Sequence, residues 1–279
     1  MISDFLASWP LFQNTYLSGW LSSVLLALVG VALVTRDQMF LGAAIAQAST
    51  LGVALHIWLS SIGAGAIATV LSLPGAKAVI AFGCAVIAAL ATARPNRESR
   101  EAVAAWLFLG CGSLAVLLVA QSPHGRVEVE QLLTRSILGA SAGEMWTLAV
   151  ATSALLFLAV KLERPLRLVL MDSAFALAVG MPMRRWTNGI AIIMGGAVGL
   201  ALPIAGLTYT FCSLVLPPLI ARRLVRELRT LLWVAPVIAL ISSIASSVLA
   251  HALDWPPAHT LVLVQSALLA ACWSVTRRS

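Results

Sequence analysis

Apolar residues in this chain come in long blocks rather than in alternation; the stretches from Ser18 to Val34 and from Leu148 to Val160 hold little else. A barrel strand would alternate with period 2, so these blocks predict helices, and their length predicts helices that cross a bilayer. About twenty apolar residues cover the hydrocarbon core. On that measure spans are predicted near 18–35, 40–60, 76–93, 102–120, 146–161, 187–203, 206–221, 230–250 and 258–275. Nine crossings fit, and eight stay open. The stretch from Ile62 to Pro74 is short and rich in Gly and Ala, and the 187–221 region holds a tight reversal around Pro203 and Gly206. The expected fold class is all-α, a polytopic transmembrane helical bundle forming one domain over residues 1–279.

Composition strengthens this reading. Of 279 residues, 60% are hydrophobic and 10% charged, with a mean hydropathy of +0.96; a soluble domain carries about a quarter charged residues. In lipid each segment must satisfy its own backbone, which again selects helices.

Charge placement adds a topology. Arg36, Arg94, Arg97, Arg100, Lys161, Arg164, Arg167, Arg184, Arg185, Arg222, Arg223, Arg226, Arg229, Arg277 and Arg278 fall on one side of the predicted spans, fifteen of the eighteen basic residues. Lys77, Arg126 and Arg135 are left for the other. The asymmetry places the amino terminus outside and the carboxyl terminus in the cytoplasm of a multi-pass inner-membrane protein. The net charge of +7 thus reads as membrane anchoring, and no nucleic-acid partner is expected. No basic stretch precedes the first apolar run, so a removable signal peptide is not expected.

Two segments lie outside the spans. The outer one, at about 121–145, carries a predicted surface helix from Glu128 to Leu138. The inner one, at about 163–185, holds an amphipathic piece from Leu168 to Met181 in which Asp172, Ala176 and Gly180 recur every four residues. On one helix these form a stripe of small side chains. Either a protein partner approaches it closely, or the helix rests on lipid headgroups.

Candidate chemistry is sparse. All eleven acids fall in loops or at span ends, which disfavours a proton-coupled antiporter. There is no Walker A loop or HExxH, so the chain is not expected to be an enzyme. Cys84, Cys111, Cys212 and Cys272 have no paired spacing and read as small apolar residues. The polar residues inside spans, Gln47, Ser49 and Thr50, then Thr208, Tyr209, Thr210, Cys212 and Ser213, and finally Gln265 and Ser266, fit helix–helix hydrogen bonds or a weakly polar path. Gln47 and Ser49, two apart, cannot line one wall.

Several local patterns together resemble the membrane subunits of zinc- and manganese-type ABC importers. The stretch from Ala205-Gly206-Leu207 through Leu216-Pro217-Pro218 to Ala221-Arg222-Arg223 is similar to that family's G-x(10)-P-x-x-x-A pattern, and Asp172-x-x-x-Ala176-x-x-x-Gly180 to its coupling helix. Gly42 through Gln47 to Gly52 resembles its second span, and Asp254-Trp255-Pro256-Pro257 an outer turn. The resemblance implies a permease paired with a second copy or a homologue, a cytoplasmic ATPase dimer that holds the ATP and Mg, and an extracytoplasmic substrate-binding protein. This chain itself is expected to bind no cofactor. It implies ATPase coupling at Asp172, Ala176, Gly180 and Met181, and a path past Gln47, Ser49, Thr208 and Cys212. Where the family carries Asp and His four apart, this chain has Ala43 and Gln47, so His251, Asp254 and His259 become the candidate metal ligands. The cargo expected is a divalent transition metal; a chelated or non-metal cargo is the alternative, and an ATPase-independent transporter or scaffold the alternative of another class.

Overall fold

A computed structural model describes residues 2–62, 73, 75–93, 99–121 and 139–276; the expected Glu128–Leu138 helix and most of the Ile62–Pro74 stretch lie outside them. The described residues form eleven helices and no strand: α1 (Ile2–Thr35), α2 (Met39–Ile62), α3 (Ala76–Ala93), α4 (Arg100–Ala120), α5 (Ala142–Lys161), α6 (Glu163–Met171), α7 (Ser173–Ala178), α8 (Met183–Ala205), α9 (Leu207–Leu224), α10 (Leu228–Leu253) and α11 (Pro257–Thr276). All but α6, α7 and α9 are long and apolar enough to cross a membrane, which makes eight such helices among the described residues. The ninth expected span, near 206–221, is α9. Two arginines and two prolines dilute its apolar content, and most of its residues are buried by protein instead.

Helix starts follow local chemistry. Ser141 and Glu144 form a capping box on α5, the Ser141 amide donating to Glu144 Oε2 at 2.8 Å and the Glu144 amide to Ser141 Oγ at 3.2 Å. Ser99 caps α4 through the Ala102 amide. Each satisfies amides that a helix start leaves without intrahelical partners.

Two compact units share the chain. One comprises Met1–Asp37, Ser136–Trp186 and Thr208–Ser279, and the other Gln38–Arg135 and Thr187–Leu207. In the first, α1 packs on α10 and α5, and α10 on α11. Serines join the α1–α10 seam: Ser23 Oγ donates to the Ala239 carbonyl at 3.4 Å, and Trp20 Nε1 donates to Ser247 Oγ at 3.2 Å. Small polar side chains let two backbones approach closely where no hydrophobic force draws helices together. Arg222 of α9 donates to the Val34 carbonyl at 2.7 Å and to Asp37 at 2.5 Å, tying α9 to the end of α1.

In the second unit α2 packs on α3 and α4. Phe40 meets Phe108 with ring centroids 5.3 Å apart, and Ala54 sits with Ala115 and Val119. Contact residues therefore advance together along α2 and α4, so the two helices run parallel. The α8 segment of this unit lies against α3, with Gly195 at the Ala85 carbonyl and Gly199 at Phe82.

Candidate functional site

The inner segment differs from the single amphipathic helix expected over Leu168–Met181: it is two helices broken at Asp172. The Asp172 side chain accepts from the Phe175 amide at 2.9 Å, and its backbone is extended at φ −141°. A short carboxylate that binds the backbone ahead of it stops one helix and caps the next. At the far end Gly180 adopts φ +84°, its amide donates to Leu177 O and the Met181 amide to Ala176 O, both at 3.0 Å. That is a Schellman C-cap, which a residue without Cβ accommodates. Hence Asp172, Ala176 and Gly180 do not form one small-residue stripe. Asp172 and Gly180 are the two caps, Ala176 is fully buried, and Met181 completes the cap.

What the element presents outward is large and apolar. Met171, Phe175, Leu177 and Val179 are 72%, 55%, 64% and 60% exposed. Val169 and Leu170 of α6 are buried. Polar ties fix α6 to its unit: Arg36 donates to the Val169 carbonyl at 3.4 Å, and Glu163 Oε1 meets Arg229 at the start of α10 at 3.1 Å and Arg167 at 3.4 Å. A force on α6–α7 is thus applied to α1 and α10 as well as to α5.

The residues expected along the path separate. Gln47 is half-buried, its Oε1 lying against Gly112 of α4, 3.3 Å from where a Cβ there would stand. Ala43 precedes it by one turn on the α4-facing side marked by Phe40, Gln47 and Ala54. Ser49, on another side, is fully buried with no hydrogen-bond partner among the described residues. On α9, Thr208 is half-buried and Cys212 is engaged: its thiol donates to Gln265 Oε1 at 3.0 Å, Gln265 Nε2 donates to Ser242 Oγ at 2.8 Å, and Ser242 Oγ to Ala239 O at 3.2 Å. This buried chain joins α9, α11 and α10. Thr210 and Ser213 are also fully buried, and their hydroxyls have no partner among the described residues. Helical phase distinguishes them: Thr208 and Cys212 share one side of α9, and Thr210 and Ser213 lie nearly opposite.

The candidate ligands His251, Asp254 and His259 do not assemble. His251 Nδ1 is hydrogen-bonded to the Tyr16 hydroxyl at 3.3 Å, next to a ladder of Trp9, Tyr16 and Trp20 on α1. Asp254 is the exposed, left-handed C-cap of α10 at φ +52°, and His259 is exposed on α11. Among the described residues no group of three or more His, Cys, Asp or Glu could hold a metal ion.

A family model described as "ABC 3 transport family" matches residues 8–275. Over 268 residues the chain is 22% identical to the chelated iron transport system membrane protein YfeD of Yersinia pestis, covering 93% of this chain and 83% of that protein. Its fold is similar to that of a chain of PsaBC from Streptococcus pneumoniae, solved in complex with Fab, with a TM-score of 0.81 and 17% identity over 98% of this chain and 95% of the other.

Proposed function

The chain belongs to the ABC 3 transport family, and from that membership we propose that it is the permease half of an importer whose ATPase is a separate cytoplasmic dimer docked on α6–α7. The observation that carries the docking reading is the α6–α7 element. Four large apolar side chains face outward beside an inward anchor of Val169 and Leu170. A surface of this kind suits burial against a protein partner. A second permease copy or a homologue and an extracytoplasmic binding protein complete the assembly. In this reading ATP binding draws the ATPase subunits together, α6–α7 follows, and the Glu163–Arg229 and Arg36–Val169 ties carry the motion into α10 and α1, opening one side of the path as the other closes.

Orientation follows from charge. An outer amino terminus and a cytoplasmic carboxyl terminus need an odd number of crossings, which makes α9 the ninth. Its 18 residues span about 27 Å, close to the hydrocarbon thickness.

The cargo is a transition metal. One specific observation favours a metal that travels with its own ligands over a stripped divalent ion of the zinc or manganese class: the Ala43–Gln47 side carries a methyl and a neutral amide packed on Gly112. Neither replaces a hydration shell as a carboxylate and imidazole would. The name of the Yersinia pestis relative points the same way. Reconstitution of the complex in proteoliposomes tests both levels. Uptake and ATPase stimulation are measured with manganese(II), zinc(II), iron(II) and ferric citrate. Stimulation by none of them sinks the permease reading, and a preference for free divalent ions sinks the chelate reading.

A further inference from the structure

Several buried hydroxyls in the other helices are turned back onto their own backbone, while Ser18 of α1 and Ser49 of α2 each stand singly without a partner among the described residues. Thr50 donates to Ala46 O at 3.0 Å, Thr92 to Ala89 O at 2.8 Å and Thr152 to Leu148 O at 2.7 Å. On α9 the pattern fails twice within one turn: Thr210 Oγ1 and Ser213 Oγ are fully buried, and neither has a partner among the described residues. At spacing i, i+3 their Cβ atoms are about 5–6 Å apart. Pro217 stands four residues after Ser213, so the Ser213 carbonyl has also lost its helical donor. Three neutral oxygen donors are therefore gathered on one side of a helix whose other side is closed by the Cys212–Gln265 bond.

We propose that the Thr210 and Ser213 hydroxyls, with the Ser213 carbonyl, form a contact site for the oxygen shell of the transported metal, its bound waters or its chelator oxygens. The proposal rests on the permease reading above. A hydroxyl both donates and accepts, so the pair can hydrogen-bond to a coordinated water or to a carboxylate or hydroxamate oxygen of a chelate without displacing it. Uncharged donors hold such a shell weakly enough to release it, which transit requires. Buried hydroxyls left without partners cost stability, so a site that keeps them is one where the cost is met by function.

The test uses the full complex with its ATPase and binding protein in proteoliposomes, with Thr210→Val, Ser213→Ala and the double variant. Uptake of manganese(II) and ferric citrate at saturating loaded binding protein is read beside the melting temperature. The double variant should lose at least tenfold in uptake of whichever cargo the wild type moves, with a melting temperature equal to or above wild type, and Thr210→Ser should retain uptake. Uptake within twofold of wild type overturns the proposal. So does a loss of uptake that tracks a lowered melting temperature, because the hydroxyls then hold the fold. A wild-type complex that moves neither cargo is a separate result, which removes the permease reading and this site with it.

Discussion

The carbonyl oxygen of Leu214 lies 1.9 Å from where a Cβ on residue 30 would stand, so α1 and α9 can meet at this distance only through Gly30. Pro218, four residues after Leu214, has no amide to receive that oxygen within α9. The released carbonyl rests instead on the Gly30 Cα, where a weak C–H···O contact replaces the lost bond. Gly30→Ala should therefore lower stability by about 1–3 kcal/mol, the range for overpacking. Gly83→Ala is the control: nothing lies within 4 Å of its added methyl, and it should raise stability by about 0.5–1 kcal/mol. Melting of the detergent-purified protein compares the two, and equal shifts would contradict the close-contact account.

Gln265 satisfies two helices at once, accepting from Cys212 and donating to Ser242. Gln265→Leu should cost about 1–2 kcal/mol, because the thiol loses its acceptor and the Ser242 hydroxyl, still donating to Ala239 O, loses the amide it accepts from. Adding Ser242→Ala and Cys212→Ala should recover part of the loss. A triple variant no better than Gln265→Leu would show that packing, not pairing, is what the amide supplies.

Asp172 and Gly180 fix the ends of a six-residue helix that is too short to hold by itself. Removing the cap with Asp172→Ala should cost about 1 kcal/mol locally. Asp172→Asn should cost little. Hydrogen exchange across residues 172–181 is the measurement; faster exchange in both variants alike would sink the capping account.

The Glu163–Arg229 pair should matter more to coupling than to stability, since the Arg229 side chain is 67% exposed and water screens the attraction. Arg229→Ala should leave the melting temperature within about a degree or two while lowering metal imported per ATP hydrolysed several-fold. The exchange Glu163→Arg with Arg229→Glu should restore part of that ratio. Unchanged stoichiometry in Arg229→Ala would assign the transmission to another contact.

Phe175→Asp and Leu177→Asp should abolish co-purification of the ATPase without changing the melting temperature, since both side chains face outward. Retained ATPase in both variants would place the docking surface elsewhere.

Element type and rough bounds were legible because lipid imposes a length and a polarity that composition reports directly. The spans expected at 76–93 and 102–120 are found as Ala76–Ala93 and Arg100–Ala120. The inner segment was misread as one helix because the four-residue spacing of Asp172, Ala176 and Gly180 fits a helical face equally well whether the residues lie on it or cap it. The cue was in their types: a short acid and a glycine are terminus residues first. On α9 the polar run Thr208–Ser213 was visible as a group, yet only the identity of its neighbours decides which hydroxyls are paired. Cys212 finds Gln265, a residue 53 positions away, and no local pattern announces that. Likewise His251 looks like a ligand in sequence and is held by Tyr16 in the fold.

The shielding of α9 has a consequence for biogenesis. A translocon that tests segments singly by their apolarity would find this one wanting, since its composition does not qualify it to face lipid. Cys212 meets its partner only after α11 has been synthesised. The nascent chain must therefore keep α9 out of bulk lipid until α10 and α11 emerge, which makes the last two helices the ones that license its insertion. A stop codon after Leu224 would leave α9 on the membrane surface, a state that alkylation of Cys212 from the aqueous side would report.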